Sequence, residues 1–164
     1  MKTLEYRTID KTTWGPGPWH TEPDKRQWQD LATGFPCLIR RHQRHGNLCG
    51  YVGLPPCHIG YGKHYDDDLF NNLECHGGLS FADRCQPGNE TDEICHVPGL
   101  NESDDVWWIG FDCHHSGDIA PGLRARECGH GWEDTNDRYR TVAYVTRECE
   151  RLAQHLAMMR QVAP

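Results

Sequence analysis

From Val106 to Cys113 the chain alternates with a period of two. Trp107, Ile109, Phe111 and Cys113 fall on one side of a strand, and Val106, Trp108, Gly110 and Asp112 on the other. Residues 37–41 and 48–53 read as the arms of a β-hairpin, turned within 42–47 and closed by Pro55-Pro56. A third strand is predicted over 73–81, where Leu73, Cys75, Leu79 and Phe81 alternate with Glu74, His76 and Ser80. Towards the C-terminus the period changes: Val142, Val145, Cys149, Leu152 and Leu156 recur every three or four residues and predict a helix over 139–159. A shorter helix is predicted from Thr21 to about Ala32. Pro23 stands in its first turn with acids beside it, and Trp28 and Leu31 form its buried side.

The segments between these are less periodic. Residues 1–13 suit a short strand or a loose arm. The motif Trp14-Gly15-Pro16-Gly17-Pro18-Trp19 cannot be helix or central strand, and its two Trp predict an ordered lid packed on the domain. Residues 57–72 read as an irregular loop, 82–105 as a long excursion, and 121–136 as a second irregular stretch. The sum is an α+β fold in one domain over 1–164. It is a small, mainly antiparallel sheet covered on one face by the long C-terminal helix and the short N-terminal helix.

Composition narrows the function. A net charge of −7 argues against bulk binding of DNA or RNA, while leaving room for a small anionic ligand on a local basic patch. Six Trp, six Tyr and four Phe make the core aromatic although hydrophobic content is only 37%. No apolar run reaches membrane-spanning length, and Met1-Lys2 leads into a polar segment rather than a signal sequence, so a cytoplasmic setting without membrane partners is expected. In that setting the nine cysteines are expected to be reduced. None forms a Cys-x-x-Cys pair, and most suit small buried hydrophobes.

With the helix on the apolar side, His76, Ser80, Trp108 and Asp112 are expected to share the opposite face. Asp112, His115 and Asp118 are spaced three apart across a strand end and a Gly117 turn, and His76 arrives from another strand. Two imidazoles and two carboxylates suit one divalent ion such as Zn²⁺, Mn²⁺ or Fe²⁺, with a position left for water. Without metal, His115 steered by an aspartate is a candidate general base, and His76 an acid or oxyanion donor. Each residue also has an ordinary structural role open to it, as strand histidine, cap or turn former, so the case rests on convergence. Arg40, Arg41, Arg44 and Lys63 form the marked basic concentration. The cluster reads either as a solvated hairpin tip or as a phosphate clamp of Arg40, Arg41 and Lys63, with Tyr51 and Trp108 as stacking platforms and His58 in the neighbouring loop. A two-histidine phosphoesterase is disfavoured because His-x-Ser occurs once, and Cys–His catalysis because Cys75 and Cys113 fall on the core face.

Five motifs carry a resemblance: WGPGPW at 14–19, CGYVG at 49–53, HGGLSF at 76–81, WIGFDCHHSGD at 108–118 and YVTRECERLAQHL at 144–156. Together the chain resembles a family of small proteins encoded by phages and prophages. In that pattern the histidine of the D-C-x-H-x-G-D element is His115. The family's G-H-P stands here as Cys57-His58-Ile59, a departure, and the stretch from Cys85 to Cys95 is an addition. The resemblance implies a phage setting and host-cell cytoplasm, and supplies no activity. The expectation is therefore a phage-type hydrolase, with or without a metal ion, acting on a small anionic substrate such as a nucleotide or cyclic nucleotide defence signal. The alternative is a non-catalytic anti-defence protein that sequesters such a ligand or blocks a host protein.

Overall fold

The computed structural model describes residues 1–86, 88–100, 102–127 and 136–159. Six antiparallel strands form the sheet: β1 (Leu4–Tyr6), β2 (Lys25–Gln29), β3 (Pro36–Arg41), β4 (Leu48–Leu54), β5 (Phe81–Arg84) and β6 (Trp107–Asp112), in the order β1-β2-β3-β4-β6-β5. A short helix α1 (Pro121–Glu127) and a long helix α2 (Val142–Met159) complete the α+β fold. Among the described residues no helix is long and apolar enough to cross a membrane.

The alternation in β6 sorts its side chains as its pattern predicts. Ile109, Phe111 and Cys113 join Cys37, Ile39, Leu48 and Val52 in a core that also takes Val145, Cys149, Leu152 and Leu156 from α2. Gly50 lets the helix come close, since a Cβ there would lie 2.7 Å from Cys149 Sγ. The other side of β6 is not the open polar face expected. Val106 and Trp108 pack with Leu38, Tyr51 and Ile94 in a second core, and the excursion after β5 supplies Ile94.

Three elements differ from their sequence reading. The short helix predicted over 21–32 is strand β2 instead. Its long polar residues Lys25 and Gln27 are buried, and Gln27 exchanges two hydrogen bonds with the backbone of Val97. Backbone partners from 70 residues away override the local helix signal, and Leu31, expected to be buried, is 98% exposed. The strand predicted over 73–81 becomes a turn and then β5, because Gly77 and Gly78 both take positive φ, 67° and 88°. Leu73, Cys75 and Leu79 still pack against the main core. The irregular stretch predicted over 121–136 begins with α1, and residues 128–135 lie outside those described.

The two Trp of the 14–19 motif are both buried, Trp19 edge-on to Tyr139. One expectation about the thiols is overturned: Cys85 and Cys95 are joined as a disulfide across the excursion, a bond at odds with a uniformly reduced set. Cys37, Cys49, Cys75, Cys113 and Cys149 remain thiols.

Candidate functional site

Beyond Asp112 the chain leaves the sheet and turns tightly. The Asp118 amide donates to the His115 carbonyl (2.9 Å), while the Asp118 carboxylate accepts the His115 N–H through Oδ2 (3.0 Å). Gly117, at φ 88°, allows the reversal. Backbone bonds from Arg138 to Gly117 and from Ile119 to Arg138 fasten this turn to the approach to α2. The glycine turn before β5 brings His76 to the same place, and the Ser80 amide ties that segment to the Gly110 carbonyl (2.9 Å).

Three of the expected residues meet there. One ligating atom from each of His76, His115 and Asp118 lies within 4.8 Å of the others. His76 Nε2 is 2.7 Å from Asp118 Oδ2, and His115 Nδ1 is 3.7 Å from that oxygen. The outward atoms are held as well: Tyr144 Oη lies 3.0 Å from His76 Nδ1, and Arg140 Nε donates to Asp118 Oδ1 at 2.7 Å. Burial opposes ionisation of Asp118, but donors from Arg140, His76 and the His115 backbone outweigh it and hold the carboxyl below its ordinary range. The His115 ring lies directly on Gly77, where an added Cβ would be 2.1 Å from its Cε1.

Asp112, the fourth expected member, stands at the margin. Its Oδ1 is 3.9 Å from His115 Nδ1 and accepts the His114 N–H, and its Oδ2 accepts the Ser80 hydroxyl at 2.8 Å. His76 does not share the face of Asp112, because its ring reaches Tyr144 on α2. The cluster therefore forms around the end of β6 rather than across one face of the sheet. His115 is 38% exposed, whereas the Asp118 side chain is 1% exposed. The exposed side opens on a cleft of about 420 Å³ whose lining includes His114, His115, Asp118, Arg124 and Asp137.

The six residues expected to hold a ligand are dispersed and engaged elsewhere. Trp108 and Tyr51 are buried in the second core. Arg41 is fully buried and bound to Glu22, Asp24 and Tyr139. Arg40 is bonded to Asp92, and Lys63 is paired with Asp67. His58 is buried with Nε2 2.8 Å from the Leu156 carbonyl. The phosphate clamp and its Tyr and Trp platforms do not assemble. Cys75 and Cys113 suit no nucleophilic role, since burial pushes both thiols up, Cys75 to about 12.

Sequence reasoning missed Arg140, Tyr144 and the placing role of Gly77. The first two stand four apart, a spacing that reads as helical in the sequence, but Arg140 lies just ahead of α2, with its guanidinium 5.0 Å from the Tyr144 ring. That spacing was the available signal, although nothing in it points to His76 or Asp118. Comparison with known proteins finds no matching protein-family model, no similar curated protein and no similar solved structure at a significant level.

Proposed function

We propose that this protein is a hydrolase acting on a small anionic substrate, with its reaction centre at His76, His115 and Asp118. One observation carries the reading. His76 joins the imidazole and carboxylate of the His115–Asp118 turn within 4.8 Å beside an open cleft, while the outward atoms of His76 and Asp118 are fixed by Tyr144 and Arg140. Oriented ligands backed by outer hydrogen bonds are what a metal centre requires. The donor set suits Zn²⁺, Mn²⁺ or Fe²⁺ better than Mg²⁺ or Ca²⁺, so His76, His115 and Asp118 are the residues that would hold such an ion. Such an ion would supply Lewis-acid polarisation of substrate and water.

The chain's own residues divide the remaining work. Asp112, about a third exposed and beside His115, is placed to take a proton from the attacking water. Its two oxygens are oriented by the His114 amide and the Ser80 hydroxyl, which keeps the carboxylate aimed. Arg124 lines the cleft and draws an anionic group towards it, tempered by Asp137 at 3.8 Å.

Metal analysis of the purified protein, with incubation against a panel of phosphate esters and nucleotides resolved by chromatography, tests this. Turnover is expected to fall by a factor of roughly 100 or more in His76→Ala and in Asp112→Ala. Turnover unchanged in both variants sinks the proposal. Stoichiometric retention of unaltered ligand marks a sequestering protein instead, and a host protein that co-purifies without turnover marks an inhibitor.

A further inference from the structure

The imidazoles do not stop at His115. His114 lines the cleft, and its ring centroid lies 5.1 Å from that of His45, which in turn stacks on His42 at 4.2 Å with 20° between the planes. This row is held rigidly. His42 Nδ1 accepts the amides of Arg44 (3.3 Å) and His45 (3.0 Å), which folds the β3–β4 turn around the ring. The His45 carbonyl accepts the amides of Gly122 (2.8 Å) and Leu123 (3.2 Å), and the Arg44 carbonyl accepts Arg126 Nη1 at 2.7 Å. The turn is thereby clamped to the start of α1. Gly46 makes the close approach possible, since a Cβ there would strike Trp14 and Pro121.

The fold gains little core from this arrangement, because His42 and His114 are exposed. What the row offers is the stacking face of the exposed His42 ring, set in place by the turn's own hydrogen bonds, with His114 at the other end of the row lining the cleft. Cations gather beside the row in an otherwise acidic chain: Arg44 and Arg126 are exposed here, while in the cleft Arg124 shares the lining with Asp118 and Asp137. Burial, with His45, Arg40, His114 and Arg126 nearby, holds the His42 imidazole below its ordinary value, in keeping with a positive local field. A stacking face beside exposed guanidinium groups suits the two halves of a nucleotide, a flat base and an anionic phosphate. Histidine is among the side chains on which bases stack.

We propose that His42 and His45 form the base platform of the site, so that the substrate is a nucleotide whose ring extends the imidazole stack and whose phosphate lies towards His114 and His115. The placing of the phosphate rests on the hydrolase reading, whereas the stacking does not. Calorimetric titration of the full chain with adenosine 5′-monophosphate and with ribose 5-phosphate separates the two. Stacking predicts tighter binding of the nucleotide by on the order of tenfold. His42→Asn keeps an acceptor for the turn amides and removes the ring, and is expected to abolish the preference. His42→Phe keeps a ring and is expected to retain it. Equal affinity of the wild-type protein for both compounds, or an undiminished preference in His42→Asn, overturns the inference. Ribose 5-phosphate bound as well as the nucleotide, with hydrolysis intact, overturns the platform and leaves the hydrolase standing. A ring-dependent preference that persists where no compound is hydrolysed supports the platform and removes the hydrolase.

Discussion

Gly77 has two separate reasons to be glycine. Its φ of +67° disfavours any side chain, and the His115 ring fills the space a Cβ would take. Gly78 isolates the first reason, because at φ +88° it has nothing within 4 Å. Gly78→Ala is therefore expected to cost about 1 kcal/mol from backbone strain alone. Gly77→Ala carries that strain and also displaces His115. Thermal unfolding of the two variants gives the difference, and the His115 ring proton resonances should shift in Gly77→Ala only. Tyr144 acts one bond further out. Tyr144→Phe removes the hydroxyl that holds His76 Nδ1, and Zn²⁺ affinity measured by calorimetry is expected to fall about 10- to 100-fold. Unchanged affinity would show that Tyr144 does not orient a ligand.

At the scale of elements, the most consequential device is the buried ionic tie between the N-terminal segment and α2. Arg41, fully buried at the end of β3, bonds Asp24 at 3.0 Å, Glu22 at 3.1 Å and the Tyr139 hydroxyl at 2.6 Å. Glu22 also accepts the Val142 amide at 2.9 Å, which places a carboxylate at the positive end of α2. Lys11 completes the set by pairing with Asp24. Removing one member leaves buried charge uncompensated, so Arg41→Ala is expected to lose about 3 to 5 kcal/mol in denaturant unfolding. Arg40, a third exposed and bound to Asp92, should lose less than about 1 kcal/mol when truncated. A basic pair in sequence thus divides into a structural residue and a peripheral one, because neighbours on a strand face opposite sides.

At the scale of the molecule, the sheet contributes to two hydrophobic clusters with unlike partners. Helix α2 packs on β3 and β4 on one side, and the excursion between β5 and β6 lies over Trp108 and Tyr51 on the other. The Cys85–Cys95 disulfide closes the first part of that excursion. Replacing both cysteines by serine is expected to lower stability by about 2 to 3 kcal/mol through the freed loop, read as a shift in the denaturant midpoint. His96 gives the same layer a pH signature. Its ring packs edge-on to Trp108 with centroids 5.5 Å apart. Burial holds this imidazole below its ordinary value. Glu102 and Asp104 act in the opposite sense, while Lys25 and the amino terminus act in the same one. The unfolded chain thus takes up a proton near pH ~6.5 that the folded chain refuses. Stability is complete above that pH and declines as the pH falls below it. Unfolding midpoints measured between about pH 5 and 7.5 should show this decline, and His96→Phe should flatten it.

The sequence by itself determined the elements whose cause is local. The hairpin over β3 and β4, the alternation of β6 and the apolar stripe of α2 follow from residue spacing, because burial on one side imposes a period of two or of 3.6. The turn at Gly117, beside His115 and Asp118, was legible from the glycine itself, which takes the positive φ the reversal needs. Tertiary structure alone decided what lay across those elements. Lys25 and Gln27 read as the surface of a helix until backbone groups near Glu90 and Val97 bury them in a strand. Trp108 reads as a platform until the excursion seals it. His76 reaches Asp118, 42 residues away, through two glycines that break its own expected strand, and meets Tyr144 on a helix it was expected to avoid. Spacing fixes which way a side chain leaves the backbone, whereas its partner depends on which distant segment folds over it.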